Sequence, residues 1–356
     1  MDIQQNPKIS IRMKKQLHNL IRSRCLIILF CCIAASTGNA QHLMFNLGDA
    51  KVEAGLNFGP TFFLGDLGGK VGKGTTFIKD LNYEFTKLMK GVFVTVYPNE
   101  WLGFRLAGQY TYVEGDDKII STHGVDELWR KQRNLNFKSN IWEAYGAIEF
   151  FPLQYIYRND DDYDPRLRPY FFGGVGAFHF NPKGSLTDQA GNITWHELQP
   201  LHTEGQGFPE YPDKKDYKLT QMNLPFGGGV KYIVSDKVNL GLELLYRKTF
   251  TDYIDDVSTT YIDPVYFNAH LNASDAAIAW QISDKTIGIV TPGVGRYAPG
   301  VQRGTPINKD AYFSFLLKVG IRFGDDGYGN GGGYGGGNGG GYRSSSRGST
   351  RCPTRF

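Results

Sequence analysis

The chain has 356 residues, with 39 Lys and Arg, 35 Asp and Glu, four Cys, 45 Gly, 24 Phe and 21 Tyr. It is long enough for two soluble domains, yet nothing after the first forty residues holds ~18 consecutive apolar residues, so a helical membrane protein is excluded. The formal charge of +4 is owed to the N-terminal segment and gives no argument for a nucleic-acid partner.

Residues 1–40 read as an export signal. Arg12, Lys14, Lys15, Arg22 and Arg24 form its positive start, and Cys25 to Ser36 (CLIILFCCIAAS) is an apolar run too short to span a bilayer. Gly38-Asn39-Ala40 supply small residues for cleavage before Gln41, and Phe30-Cys31-Cys32 lacks the small residue that lipidation needs. Cleavage removes six of the 39 bases and one of the 35 acids, leaving 33 and 34. It also removes three of the four cysteines, so Cys352 stands alone, without an intramolecular disulfide or a cysteine metal cluster.

The rest of the chain is dominated by period-two alternation. In Val238 to Arg247, Val238, Leu240, Leu242, Leu244 and Tyr246 share one face, while Asn239, Gly241, Glu243 and Arg247 share the other with Leu245 as an exception. Leu102 to Tyr112 and Ala311 to Phe323 behave alike, and Val52 to Leu64 and Leu224 to Val234 follow less cleanly. The spacing predicts eight strands, at 51–65, 86–97, 101–114, 135–151, 168–181, 218–234, 238–251 and 311–323. Most have ten residues or more, as a tilted membrane strand requires (~9–11) and an ordinary globular strand (~5–6) does not.

Aromatics gather at the predicted strand ends: Tyr97 and Trp101, Tyr110 and Tyr112, Phe150 and Phe151, Tyr232 and Tyr246. Such positions suit interfacial girdles. Tight turns at Pro98-Asn99-Glu100 and Ser235-Asp236-Lys237 alternate with long loops at 66–85, 115–134, 182–217 and 252–310. The expected fold is therefore all-β, an eight-stranded antiparallel transmembrane barrel in outer-membrane lipid, with long extracellular loops and both termini periplasmic. One turn, 152–167 (PLQYIYRNDDDYDPRL), is long and acidic where a short periplasmic turn is expected.

The alternation points Glu53, Arg105, Glu143, Glu149, Lys231, Glu243, Arg247, Lys318 and Arg322 into the lumen. Side chains nearly fill an eight-stranded barrel, and charges with so little water must pair. A salt-bridged plug is expected, not a pore.

Chemical motifs add little. Gly68 to Thr75 (GGKVGKGT) departs from the phosphate-loop pattern at Leu67 and Gly74 and reads as a flexible outside loop. His123, His179, His196, His202 and His270 show no i, i+4 pair for a metal. Ser121, His123 and Asp126 crowd one polar loop without the geometry that activates a serine. Asp160, Asp161, Asp162 and Asp164 lack the EF-hand glycine and glutamate; they read as a solvated acidic turn or a docking surface for a basic partner. No catalytic residue, cofactor or metal is expected.

Residues 325–356 are Gly- and Arg-rich with almost nothing apolar to bury, and read as a disordered periplasmic tail. Arg343, Arg347, Arg351 and Arg355 recur every four residues and would form one stripe if a partner made the segment helical. Cys352, on a glycine-rich tether in an oxidising compartment, is a candidate for an intermolecular disulfide to a periplasmic partner or a second copy, against the alternative of a free thiol.

The stretches FFLGDLGG (62–69), RNLNFKSNIWEAYGAIEFF (133–151), LQPLHTEGQG (198–207) and LPFGGGVKYIVSDKVNLGLELLYRKTFTDYIDDVSTTY (224–261) resemble a family of Bacteroidota outer-membrane barrels that includes PorG of the type IX secretion system. The resemblance runs from about residue 50 to 323, with the last block the most specific. It implies an eight-stranded barrel, contact with a periplasmic ring of the PorK and PorN type, a role in protein export or surface attachment, and no catalytic residues. The long fourth loop and the glycine-rich tail depart from the family pattern. An anchoring component of the secretion apparatus is thus the first expectation. A surface binding or adhesion barrel acting through its long loops is the second, and a lipid-modifying membrane enzyme the third, for which no convincing His with a Ser or acid is found.

Overall fold

The computed structural model describes residues 50–67, 86–120, 125–160, 163–286 and 297–323. The strands are β1 (Lys51–Leu64), β2 (Lys87–Asn99), β3 (Leu102–Asp116), β4 (Asn136–Phe150), β5 (Leu167–Thr187), β6 (Ile193–Glu197), β7 (Thr220–Ile233), β8 (Val238–Thr249) and β9 (Ala311–Phe323). Eight of them close a ring. β1 pairs with β2 and β9, β4 pairs with β5, and β5 passes directly to β7, every pairing antiparallel. Closure removes the unpaired edges that an open sheet would expose.

The side-chain period makes the two faces of this wall different materials. Outside, Leu56 is 59% exposed, Leu106 67%, Trp142 60%, Phe171 64% and Leu242 67%. A soluble monomer rarely shows so large an apolar band, and a bilayer is the solvent that accepts it. Inside, alternate positions carry the charges described below. Barrel strands run from 12 residues in β8 to 21 in β5, enough to cross with a tilt.

At one end the connections are short. Only Glu100 and Trp101 separate β2 from β3, and residues 234–237 separate β7 from β8. The connection from β4 to β5 is longer and starts with a one-turn helix, α1 (Pro152–Ile156), whose first-turn proline costs no hydrogen bond. There Trp101 packs edge-on against Phe150 and Tyr155, an outward aromatic cluster at a strand end. Two residues assigned to that girdle from sequence turn inward instead. Phe151 is 2% exposed and packs on Tyr97 and Tyr170, and the Tyr97 hydroxyl bonds inside the lumen. The reason is parity: Tyr97 shares the face of Thr95, and Phe150 and Phe151, being adjacent, cannot both face lipid.

At the other end the long loops are folded. β5 outgrows the barrel, leaving β7 at His179 and pairing with β6 from Lys183 to Thr187. Further along lie α2 (Val265–His270) and α3 (Ala273–Ser283), the latter capped by the Asn272 side chain accepting from the Asp275 amide. Leu198, Leu201, Phe208, Ile262, Phe267, Ala279 and Ile282 bury one another in a second hydrophobic core. The segments 182–217 and 252–310, expected as plain loops, thus contain a hairpin and two helices that form a cap over this end. The helix at Val125–Arg133 is tied down by Arg133, whose guanidinium donates twice to Asp117, at 2.8 and 3.0 Å.

Candidate functional site

The lumen gathers ionisable groups in number. Eight of the nine charges assigned to it from sequence are buried there: Glu53, Glu143, Glu149 and Glu243 with Arg105, Lys231, Arg247 and Lys318. They balance in sign, and every one has a partner. In the half nearer the short turns, Lys231 meets Glu53 at 2.7 Å, and Arg105 meets Glu149 at 2.6 Å and Glu243 at 2.6 and 3.0 Å. Lys318 reaches Glu243 at 3.2 Å. In the half nearer the cap, Arg247 donates to Glu143 at 3.1 Å, to Gln109 at 2.5 Å and to Ser314 at 2.7 Å, and Asn223 donates to Glu143 at 2.6 Å.

Residue-type reading missed the neutral members of this network. The Tyr170 hydroxyl donates to Glu243 at 2.6 Å, that of Tyr97 to Glu149 at 3.0 Å, and Asn223 also donates to the Tyr312 hydroxyl at 3.2 Å. All sit at inward parity, which was the available signal. Aromatic faces complete the packing, with the Arg105 guanidinium 4.7 Å from the Phe172 ring centre and Lys318 4.2 Å from that of Phe93. Above the charges, Met89, Phe178, Phe180, Phe137 and Ile141 are all but inaccessible and close the bore with apolar side chains.

The ninth charge corrects the expectation. Arg322 is half-buried and lies outside the paired network, because it comes one pleat before the end of β9, where the lumen opens. There it lines a cavity of about 110 Å³ together with Lys51, Tyr97, Glu100, Phe151, Arg168 and Lys231. The acidic turn touches this mouth. Asp164 pairs with Arg168 at 2.5 Å, and Arg168 also meets Glu100 at 3.3 Å. Asp160 is exposed, while Asp161, Asp162, Arg343, Arg347, Arg351, Cys352 and Arg355 lie outside the described residues, as do the export signal and the Gly68 to Thr75 segment.

The cap holds a second ionic centre. Arg303 donates to Glu204 at 2.9 Å and to the Asp256 carbonyl at 2.6 Å, while Glu204 accepts the amides of Ser258 and Thr259. Asp255 and Asp310 accept backbone amides of Leu67, Val257 and Ile254, which pins three loops together. Burial pushes both carboxyls well above the usual range, and mutual repulsion with Asp66 and Asp252 adds to it. Burial raises Asp252 to about 7 and Asp256 to about 6, the latter against the pull of Arg303.

Of the histidines singled out from the sequence, His123 lies outside the described residues and the others have mundane partners: His179 with Thr220, His196 with Thr194, His202 with Asp216 and His270 with Glu210. Among the described residues no group of His, Cys, Asp or Glu is arranged to hold a metal ion.

Comparison with known proteins adds structures only. No protein-family model and no curated protein matches the sequence. Among solved structures, the chain is similar to Ail, the attachment invasion locus protein of Yersinia pestis, solved with the heparin analogue sucrose octasulfate (8% identity over 77% of this chain and 99% of that one, TM-score 0.31). It is also similar to Neisserial surface protein A (11% identity, 77% and 97%, TM-score 0.30) and to OprG of Pseudomonas aeruginosa (12% identity, 78% and 97%, TM-score 0.32). At these values the likeness adds nothing to the strand pairing, on which the closed eight-stranded barrel stands.

Proposed function

We propose that this protein is a sealed outer-membrane anchor of a type IX secretion apparatus, similar in role to PorG. In this reading the short-turn end and both termini face the periplasm, the folded cap faces outward, and a ring of the PorK and PorN type docks below. The observation that carries the anchoring part is the neutralised lumen: a bore crossed by Arg105–Glu243 and Arg247–Glu143 pairs is built to stay shut, so the barrel holds a position in the membrane and conducts nothing. The apolar outer wall supports the membrane part. The secretion part rests on the sequence blocks at 62–69, 133–151, 198–207 and 224–261. Deleting the gene and measuring release of type IX cargo tests it; unchanged release refutes the secretion role. The tail belongs to the same proposal, with Cys352 bridging to a periplasmic partner or a second copy. Non-reducing gels of membranes from wild type and Cys352→Ser decide that point, and the absence of a cysteine-dependent band defeats it.

The separate hydrophobic core of the cap favours a second reading, a surface binding barrel, because a folded platform presents a fixed surface where loose loops would not. Replacing residues 262–284 with a short linker would then abolish binding to the ligand or cell and leave secretion intact.

A further inference from the structure

The lipid-facing wall is dented where β2 to β5 run side by side. One outward register row there reads Val92, Gly108, Ala144 and Ala177. Three small residues in succession lower the surface, and a Cβ added at Gly108 would meet nothing within 4 Å. The next outward row toward the cap reads Lys90, Tyr110, Trp142 and His179, continued on β7 by Thr220. Its larger side chains stand beside the small ones, and together they line an apolar groove of about 730 Å³.

Charge narrows what can fill it. The Lys90 ammonium lies 5.6 Å from the centre of the Tyr110 ring, which packs 4.5 Å from that of Trp142. Lys90 is exposed, its cross-strand neighbours are Phe58 and Tyr110, and it makes no ion pair among the described residues. Further toward the cap the charges are paired. Glu114 stands opposite Lys138 and meets Lys87, and Lys183 meets Glu197 at 3.1 Å. That charged rim lies four residues beyond Tyr110 on β3, about 13 Å along the strand. Between the rim and the short turns, the outward faces of β1 to β5 carry no carboxylate. Lys90 therefore sits at the level of lipid headgroups, with an apolar groove below it and no acid of its own chain to answer its charge. A lysine there keeps its stem on the wall and its head toward water, and an anion supplied by the membrane completes the pair.

We infer that the groove seats a phosphorylated glycolipid of the lipid A class, with a phosphate against Lys90 and an acyl chain lying over Gly108, Ala144 and Ala177. The polar row favours a wide headgroup. From Lys90 on β2 to Thr220 on β7 it crosses four strand spacings, about 19 Å, more than the single phosphate of a glycerophospholipid would cover. His179 and Thr220, 3.0 Å apart, end the row with hydrogen-bonding groups. The inference goes beyond the anchoring function and rests on that proposal only for its orientation, which puts the cap, and so this row, in the outer leaflet.

The test is native mass spectrometry of the full chain released from neutral detergent, after titration with bis-phosphorylated lipid A or, separately, with phosphatidylglycerol. One retained lipid A per barrel is expected, saturating at a lower concentration than phosphatidylglycerol. Lys90→Gln should weaken that binding about tenfold, the worth of one charge-assisted contact. Gly108→Leu and Ala144→Leu fill the dent from the lipid side and should weaken it as well, although neither alters a charge. Lys248→Gln should leave it unchanged, since that outward cation stands on β8, across the barrel, between Leu224 and Ala311. The slower electrophoretic form before heating verifies that each variant is folded. No saturable binding of lipid A, an unchanged affinity in Lys90→Gln, or equal losses in Lys90→Gln and Lys248→Gln would overturn the inference. So would tighter binding of phosphatidylglycerol than of lipid A. A gene deletion that leaves cargo release unchanged would refute the secretion role and leave this titration standing, so the two failures are distinguishable.

Discussion

Arg105 and Glu243 meet across the full width of the barrel. Their strands, β3 and β8, stand opposite each other in the ring of eight, and two nitrogen–oxygen contacts of 3.0 and 2.6 Å join them. The same guanidinium holds Glu149 at 2.6 Å, so one cation serves two buried carboxylates. Arg105→Met keeps the volume and removes the charge, leaving those carboxylates the Tyr170 and Tyr97 hydroxyls and, as a cation, Lys318 at 3.2 and 4.0 Å. Breaking such a pair from one side costs about 3–5 kcal/mol. Urea unfolding in detergent should show that loss, and adding Glu243→Gln to Arg105→Met should recover much of it. A single mutant as stable as wild type would mean that the network does not carry the fold.

The same contacts predict electrical silence. Wild-type protein in a planar bilayer should give no steady conductance. Combining Arg105→Ser, Glu243→Ser and Arg247→Ser removes the cross-lumen pairs and should open a measurable ion path. The folded state of that variant is checked independently by its slower electrophoretic form before heating. A steady large conductance in the wild type would refute the plug.

Much of this was legible in the residues. The predicted strand 311–323 matches β9 end for end, and 135–151 misses β4 by one residue on each side, because long alternating runs leave little freedom of register. The charged lumen followed from the same parity. The upper part of β5 did not: Pro182, Gly184 and Ser185 break the apolar alternation, and that stretch is held by pairing with β4 and with the five-residue β6. The second core was hidden for another reason. Phe208, Phe267 and Ile282 are brought together only by tertiary folding, and no local period announces it. Arg322 was read with the correct face but the wrong depth, since parity says which way a side chain points and nothing about where the bore ends.

Two glycines of the wall should respond oppositely to an added methyl group. At Gly227, facing inward on β7, a Cβ would lie 1.9 Å from the Leu244 carbonyl oxygen and 3.0 Å from the Phe172 ring. At Gly108 on β3 it would meet nothing within 4 Å. Gly227→Ala should cost about 1–3 kcal/mol through overpacking, whereas Gly108→Ala should be neutral or gain up to about 1 kcal/mol by restricting the unfolded chain. Equal effects in the two variants, measured by urea unfolding, would contradict the wall geometry.

The cap should come apart without the barrel. Arg303 links the Glu204 loop to the carbonyls of Asp256 and Ser283, the latter at 3.4 Å, so three segments share one guanidinium. Arg303→Met strands Glu204 in the interior and should cost the cap about 3 kcal/mol or more. Limited proteolysis should then cut within 198–216 and 252–265 while the barrel stays resistant, as expected for a locally cooperative unit. Cleavage inside the barrel strands at the same rate would show that cap and barrel unfold together.

The cap should also be tighter in mild acid than in mild base. Burial holds Asp252 up at about 7 and Asp256 at about 6, against 3.8 for a free aspartate. A carboxyl whose folded pKa is raised binds a proton more readily when folded, so its contribution to stability is full below about pH 4 and disappears as pH rises through 6 to 7. Asp255 and Asp310 are shifted in the same direction. Burial lowers Lys214 and Lys285 to about 8, so both are largely past their transition by pH 7 and impose a nearly constant cost below it. Between pH 5 and 8 the carboxyls therefore set the sign. Hydrogen exchange of the amides at 253–258, corrected for the intrinsic rate, should show protection falling as pH rises from 5 to 8. Asp252 is the residue to change, because both of its oxygens are buried and, among the described residues, meet no hydrogen-bond donor in good geometry. Asp252→Asn removes the ionisation, and should raise protection at pH 8 and flatten the profile. Protection that instead grows toward pH 8 in the wild type would mean that these carboxylates are stabilised as anions, and the account of the cap's interior would be wrong.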